Sequence, residues 1–219
     1  MVDLPPLPDR IARLRRDKRG FPIPWFVQWM KEGQAAREGE EGAEPDFRVI
    51  DTERMQRCFS QNRCWCCGDI LGRHRVFVIG PMCVINRVTM EPPNHRDCAE
   101  FAAKACPFLI RPRMRRNDKD LPRHAPMPGI AIDRNPGCMA LYETSRYRRF
   151  HTPTGALIRL DPPDQIDWWA EGKTATRAQV LESIESGYPL LMGIARHEGD
   201  ASVKELVRQR EIAMTLVPA

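Results

Sequence analysis

Two short couplets constrain this chain more than any other feature: Cys64 and Cys67 within CWCCG, and His95 and Cys98 within NHRDC. Two thiolates from a tight knuckle, with a His and a Cys one helical turn apart, supply the four soft and borderline donors that tetrahedral Zn²⁺ prefers. The expectation is one structural Zn²⁺ on Cys64, Cys67, His95 and Cys98. The two-residue spacer lets both knuckle sulfurs reach one ion, and Gly68 can take the positive φ that turns backbone amides toward them. Asn94 reads as the N-cap of a helix over AEFAAKA, with Asp97 as its capping-box partner. Residues i and i+3 share a helix face, and the positive end of the helix dipole offsets part of the site's charge. Three thiolates and a neutral imidazole leave the complex at −1, which Arg96, Arg73 or Arg75 is placed to balance.

The remaining cysteines read differently. Cys66 is a spare thiol, because pairing it with either neighbour loses the two-residue spacer. Cys83 and Cys106 belong to the core, as does Cys58, which lies on a short helix capped by Asp51 or Thr52. Cys138 is distant and completes no second ligand set. Eight cysteines could form disulfides, but a chain of 219 residues that is 42% apolar can bury a core without them. The first residues lack the apolar stretch of a secretory signal, and no run of about 18 apolar residues could span a bilayer. Reduced thiols, a cytoplasmic location and no membrane partner are expected.

The fold class expected is α+β, with small antiparallel β elements and short helices around the zinc site. Phe21 to Met30 and Phe47 to Ile50 read as a hairpin, and the Glu- and Gly-rich residues 31–46 between them as a mobile loop. Ile11 and Leu14 mark a docking arm or a frayed end. Arg75 to Ile79 and Val84 to Thr89 read as two strands joined by a turn at Gly80 and Pro81. Five prolines between 107 and 128 exclude a long helix and mark a boundary. Residues 1–128 then hold the N-terminal hairpin, a zinc module at about 64–106 and a basic linker, packed as one unit with residues 129–219. That second part reads as strands at 129–132, 138–144, 156–160 and 165–170, a helix begun by the capping box of Thr176 and Gln179, and a last helix from Ser202. Its inward residues would be Leu206, Val207, Ala213, Met214 and Val217.

Knuckle, hairpin and ligand-bearing helix in that order resemble the treble-clef zinc fingers over roughly Cys64 to Cys106. The resemblance implies knuckle ligands at Cys64 and Cys67 and helix ligands at His95 and Cys98. That fold group includes nucleic-acid binders, protein-interaction modules and some nucleases. The nuclease pattern needs a catalytic His with further His or Asn residues. Here His74, Asp69, Asn86 and Asn94 stand nearby, but no second His follows in the helix. No phosphate-binding Gly loop, nucleophile elbow or dinucleotide fingerprint is present, and His124, His151 and His197 stand alone. No catalytic residue is assigned.

The net charge of +5 is unevenly spread: residues 111–123 carry six Lys or Arg against two Asp. Such a segment suits phosphate contacts, and Arg96, Arg111, Arg113, Arg115, Arg116 and Lys119 are the candidates. Whole phrases, among them RGFPIPWF, CWCCGDILGR, VFVIGPMCVINR and EPPNHRDCAEFAAKACPFL, are similar to a family of uncharacterised proteins from bacterial genomes and their phages. The resemblance implies a phage or prophage accessory factor. The expectation is therefore a zinc protein that binds nucleic acid. The alternatives are an interaction or inhibitor module acting on a host protein, and a metal-dependent nuclease.

Overall fold

The computed structural model describes residues 4–112, 114, 119, 135–153 and 155–219. The expected strand at 129–132 lies outside them. A short helix α1 (Asp9–Ala12) precedes an antiparallel sheet of β1 (Val27–Lys31), β2 (Gln34–Ala36) and β3 (Glu44–Ile50), in the order β2-β1-β3. β1 starts only at Val27, since Pro22 and Pro24 offer no N–H to a ladder. The expected loop at 31–46 is corrected. Glu32 and Gly33 both take positive φ, 50° and 78°, which is the signature of a two-residue hairpin turn, and Trp29 faces Ala36 across it. Helix α2 (Thr52–Ser60) starts where Asp51 accepts a hydrogen bond from the Arg54 amide at 3.0 Å, and its Cys58 is fully buried.

The zinc-region hairpin is also corrected. β4 (Arg75–Ile79) is followed by helix α3 (Pro81–Asn86) and then by the two-residue β5 (Val88–Thr89). Pro81 at the first helical position is pre-organised to begin a helix, and Arg87, in the left-handed region at φ 54°, ends it. Pro81, Met82, Val84 and Ile85 are all buried by this turn. An isolated antiparallel bridge between Val76 and Asn94 links β4 to the approach of α4 (Arg96–Ala105), through hydrogen bonds of 3.0 and 2.8 Å. Pro107 then opens a four-residue helix, α5 (Pro107–Ile110).

The strands of the C-terminal half complete two further sheets. β4 pairs antiparallel with β6 (Met139–Thr144), which pairs with β9 (Gln165–Ala170), which pairs with β10 (Lys173–Thr174). β5 pairs with β8 (Gly155–Leu160), and β8 with β7 (Tyr147–Thr152). Strands from both sides of residue 128 therefore share both sheets. β7 has no counterpart in the sequence reading. Its pattern, YRRFHT, is too charged to read as half-buried.

Helix α6 (Arg177–Glu198) forms the expected capping box, with Thr176 and Gln179 bonded reciprocally. It packs with α3 and α7 (Asp200–Met214) over the main core of Phe77, Ile79, Tyr142, Ile158, Leu160 and Ile184. Leu206, Ala213 and Val217 turn inward, whereas Val207 is 41% exposed, contrary to expectation. No helix among the described residues is long and apolar enough to cross a membrane.

Candidate metal centre

The donor atoms of Cys64, Cys67, His95 and Cys98 lie within 4.8 Å of one another. In the knuckle, the Gly68 amide donates to the Cys64 carbonyl at 2.9 Å, the Cys64 amide to the Asp69 carbonyl at 2.8 Å, and Arg63 Nη1 to the Gly68 carbonyl at 2.8 Å. Gly68 holds φ 78°, as its role in the turn requires. Trp25 closes the outside of the turn. Its amide donates to the Cys66 carbonyl at 2.7 Å, and its ring lies so near Gly68 that a Cβ there would sit 2.8 Å from ring carbons.

The helix side differs from expectation by one residue. His95, not Asn94, is the N-cap of α4, and the Asp97 capping box does not form. Asn94 is held extended by its bridge to Val76, which moves the helix start one residue on. The Asn94 side chain instead crosses to the knuckle, where Oδ1 accepts the Cys66 amide at 3.1 Å. The His95 amide points at Cys64 Sγ, 3.4 Å away. The imidazole Nε2 lies 3.0 Å from the Ile70 carbonyl and Nδ1 lies 3.4 Å from Cys67 Sγ. A carbonyl can only accept, so it fixes the proton on Nε2 and leaves the Nδ1 lone pair facing the sulfurs.

Cys64 and Cys98 are fully buried and Cys67 is 9% exposed. Burial opposes ionisation of Cys64, but hydrogen bonds involving Cys67, Cys98 and the His95 amide outweigh it and draw the thiol down to about 3. Cys98 is driven far up, first by its hydrogen bonds to Cys64 and Cys67 and then by burial. Protein groups alone thus pull the Cys64 and Cys98 thiols in opposite directions. A cation among the sulfurs lets all three ionise together. Around one ion, four protein donors would fill the shell that a structural site uses. The set could hold one metal ion.

A cation that the sequence reading did not name approaches the cluster through Asp97. Arg10 on α1 reaches Asp97 Oδ2 at 3.0 Å, and the charge of Asp97 and this hydrogen bond raise its pKa. Ile11, only 3% exposed, packs α1 against Cys64, Cys66, Cys67, Leu71 and Cys98, so the arm is docked on the centre. The Ile11 and Leu14 stripe was the available signal. Cys66 stays outside the donor set, and burial raises its thiol well above the ordinary range. Cys83 and Cys106 are half-buried rather than fully in the core.

Of the other candidate residues, Arg96, Arg111 and Lys119 are among the described residues. Arg96 donates Nε to Glu100 at 2.9 Å and Nη1 to Glu143 at 3.3 Å, and it pairs with Asp167 through Nη2. Its guanidinium is occupied by carboxylates rather than turned to solvent. Arg111 is exposed, Lys119 is exposed with its carbonyl accepting from Arg48 at 2.9 Å, and Arg113, Arg115 and Arg116 lie outside the described residues. His74 is 64% exposed with Nδ1 at 3.1 Å from Glu143.

Comparison with family models, curated proteins and solved structures finds no match to this chain.

Proposed function

We propose that this is a zinc-stabilised protein that binds nucleic acid mainly through phosphate contacts. Zinc suits the donor set best, because three thiolates and one imidazole in a closed shell match its preference for soft and borderline ligands without redox chemistry. The observation that carries the binding reading is the basic arm docked on the metal centre. Residues 10–19 hold six Lys or Arg against Asp17 alone, and Arg10 and Ile11 fasten this segment to the metal cluster and to Asp97. Arg111 and Lys119, beyond α4, are exposed as well. Exposed ion pairs such as Arg13 with Asp69 are worth little in water, so a phosphate can displace them. The knuckle and ligand-bearing helix support a treble-clef relationship, with β4, α3 and β5 where the hairpin would stand. A phage or prophage accessory factor fits this reading.

The test is binding of zinc-loaded protein to single- and double-stranded nucleic acid while salt is raised about fourfold. Three to five phosphate contacts predict an affinity loss of roughly 20- to 100-fold on single strands. An affinity that does not respond to salt overturns the reading.

One observation favours a protein partner instead. Ile70, at the knuckle tip, is 70% exposed, and with Asp9, Arg10, Arg13 and Asp69 it lines an open cavity of about 420 Å³. A large exposed apolar side chain ringed by charges suits docking of a host protein. A stoichiometric partner that survives nuclease treatment and is lost in Ile70→Asp would favour this reading.

A further inference from the structure

The sheet β5-β8-β7 has two faces of opposite character. Period-two alternation and the observed register place Tyr147, Ile158 and Leu160 on one face, and Ile158 and Leu160 are buried in the main core. The other face carries Arg148 and Phe150 from β7, Leu157 and Arg159 from β8, and Val88 from β5. None of these five belongs to a core cluster among the described residues. Arg148 is exposed and stands directly opposite Arg159, whose guanidinium lies 5.6 Å from the Phe150 ring centroid.

Like charges directly opposite across a ladder are unfavourable, and a small sheet normally separates them. Here neither arginine has a carboxylate partner among the described residues. Arg13, Arg15, Lys18, Arg19 and Arg208 do have an acidic partner within 4.0 Å, whereas exposed Arg149, on the same strand as Arg148, has none among the described residues. The local sequence agrees, because residues 145–161 hold four Arg against one Asp, and that Asp161 pairs with Arg146 at 3.4 Å. An anion with repeated charge is the missing complement. An aromatic ring two residues from one guanidinium and beside the other adds a stacking surface, which an acidic peptide does not require and a base does.

We infer that this face binds single-stranded nucleic acid, with Arg148 and Arg159 on phosphates and a base stacked on Phe150 or on the Arg159 plane. The inference rests on the nucleic-acid reading above and locates its principal contact surface on the sheet rather than on the basic arm at residues 10–19. Arginine suits the task, because its planar fork meets phosphate in a bidentate manner and also stacks. A gently twisted three-stranded face admits a splayed single strand more readily than a stacked duplex.

The experiment is fluorescence anisotropy with zinc-loaded full-length protein, a labelled oligo-dT and a matched duplex. The expected result is tighter binding to oligo-dT. Removing both guanidiniums, Arg148→Ala with Arg159→Ala, should weaken oligo-dT binding at least tenfold and flatten the salt slope by about 1.4, two contacts' worth. Phe150→Leu should weaken binding about tenfold with the slope unchanged, since stacking releases no counterions. Zinc content and melting temperature report whether each variant folds. If the double variant does not fold, Arg148→Gln and Arg159→Gln singly put the same question. Wild-type binding that all these variants preserve overturns the sheet assignment and leaves the nucleic-acid reading standing. No wild-type binding at any salt overturns both. Binding of polyglutamate in place of oligo-dT, lost in the double variant, would mark the face as a site for an acidic protein and overturn the inference.

Discussion

The Ile70 carbonyl, 3.0 Å from His95 Nε2, decides which nitrogen of His95 faces the cysteine sulfurs. Knuckle and helix are thereby joined by a backbone hydrogen bond as well as by any shared ion. His95→Ala removes a donor and this link together. Zinc affinity should fall at least about 100-fold, more than loss of an outer-shell contact alone, as read by competition with a chelator. His95→Cys should keep the metal, since a Cys₄ shell is equally suited to zinc.

Gly68 combines a left-handed φ of 78° with a ring pressed against its Cα. Gly68→Ala must strain the turn and displace Trp25, a rigid group that cannot swing aside as a lysine tip would. Destabilisation of roughly 1–3 kcal/mol is expected in denaturant unfolding, with weaker metal retention. Gly20, also at positive φ but with nothing within 4 Å, supplies the control, since Gly20→Ala adds strain without a clash.

Arg96 sits among Glu100, Glu143 and Asp167, and Glu143 is only 14% exposed. Arg96→Met would leave these carboxylates facing one another without their cation. Partial burial sets the loss at about 2 kcal/mol, below that of a fully buried pair. Nucleic-acid affinity should stay within about twofold of wild type if this guanidinium serves the fold, as its partners indicate. Melting curves and anisotropy measured on one preparation separate the two effects.

Asp17 gives a pH prediction. Burial alone would raise its pKa, but hydrogen bonds from the Arg19 side chain and from the amides of Phe21 and Arg19 outweigh this and hold it below 3.8. A carboxyl depressed by folding stabilises the protein above its unfolded pKa and loses that contribution as pH falls through the folded value. Asp17→Asn should therefore cost about 1 kcal/mol at neutral pH, and the gap to wild type should close below about pH 4. Chemical denaturation at several pH values tests this. A gap that stays constant with pH would remove the carboxylate from the account.

The candidate metal site was legible because ligand spacing is a local code. Cys64, Cys67, His95 and Cys98 were read from the chain and converge in space, as does the positive φ at Gly68. The capping boxes show where local codes succeed and fail. That of Thr176 and Gln179 forms because nothing competes for it, whereas Asn94 is claimed by a strand bridge to Val76 and gives up the cap. Val84 to Thr89 is β-prone, yet Pro81 and burial against α6 and α7 make it helix first and strand only at its end. β7 was missed because its edge position and exposed arginines erase the alternation that marks a half-buried strand. Arg10 could not be assigned from sequence, since its partner Asp97 is 87 residues away and only the docking of Ile11 brings the two together.

The central claim is that Cys64, Cys67, His95 and Cys98, without Cys66, hold one structural zinc. Elemental analysis of wild type, Cys66→Ser and Cys98→Ser, each purified without added metal, tests it most directly. The account predicts one zinc per chain in wild type and in Cys66→Ser, with loss of zinc and a lowered melting temperature in Cys98→Ser. A metal-free wild type, or zinc that leaves with Cys66 and survives the loss of Cys98, would contradict it.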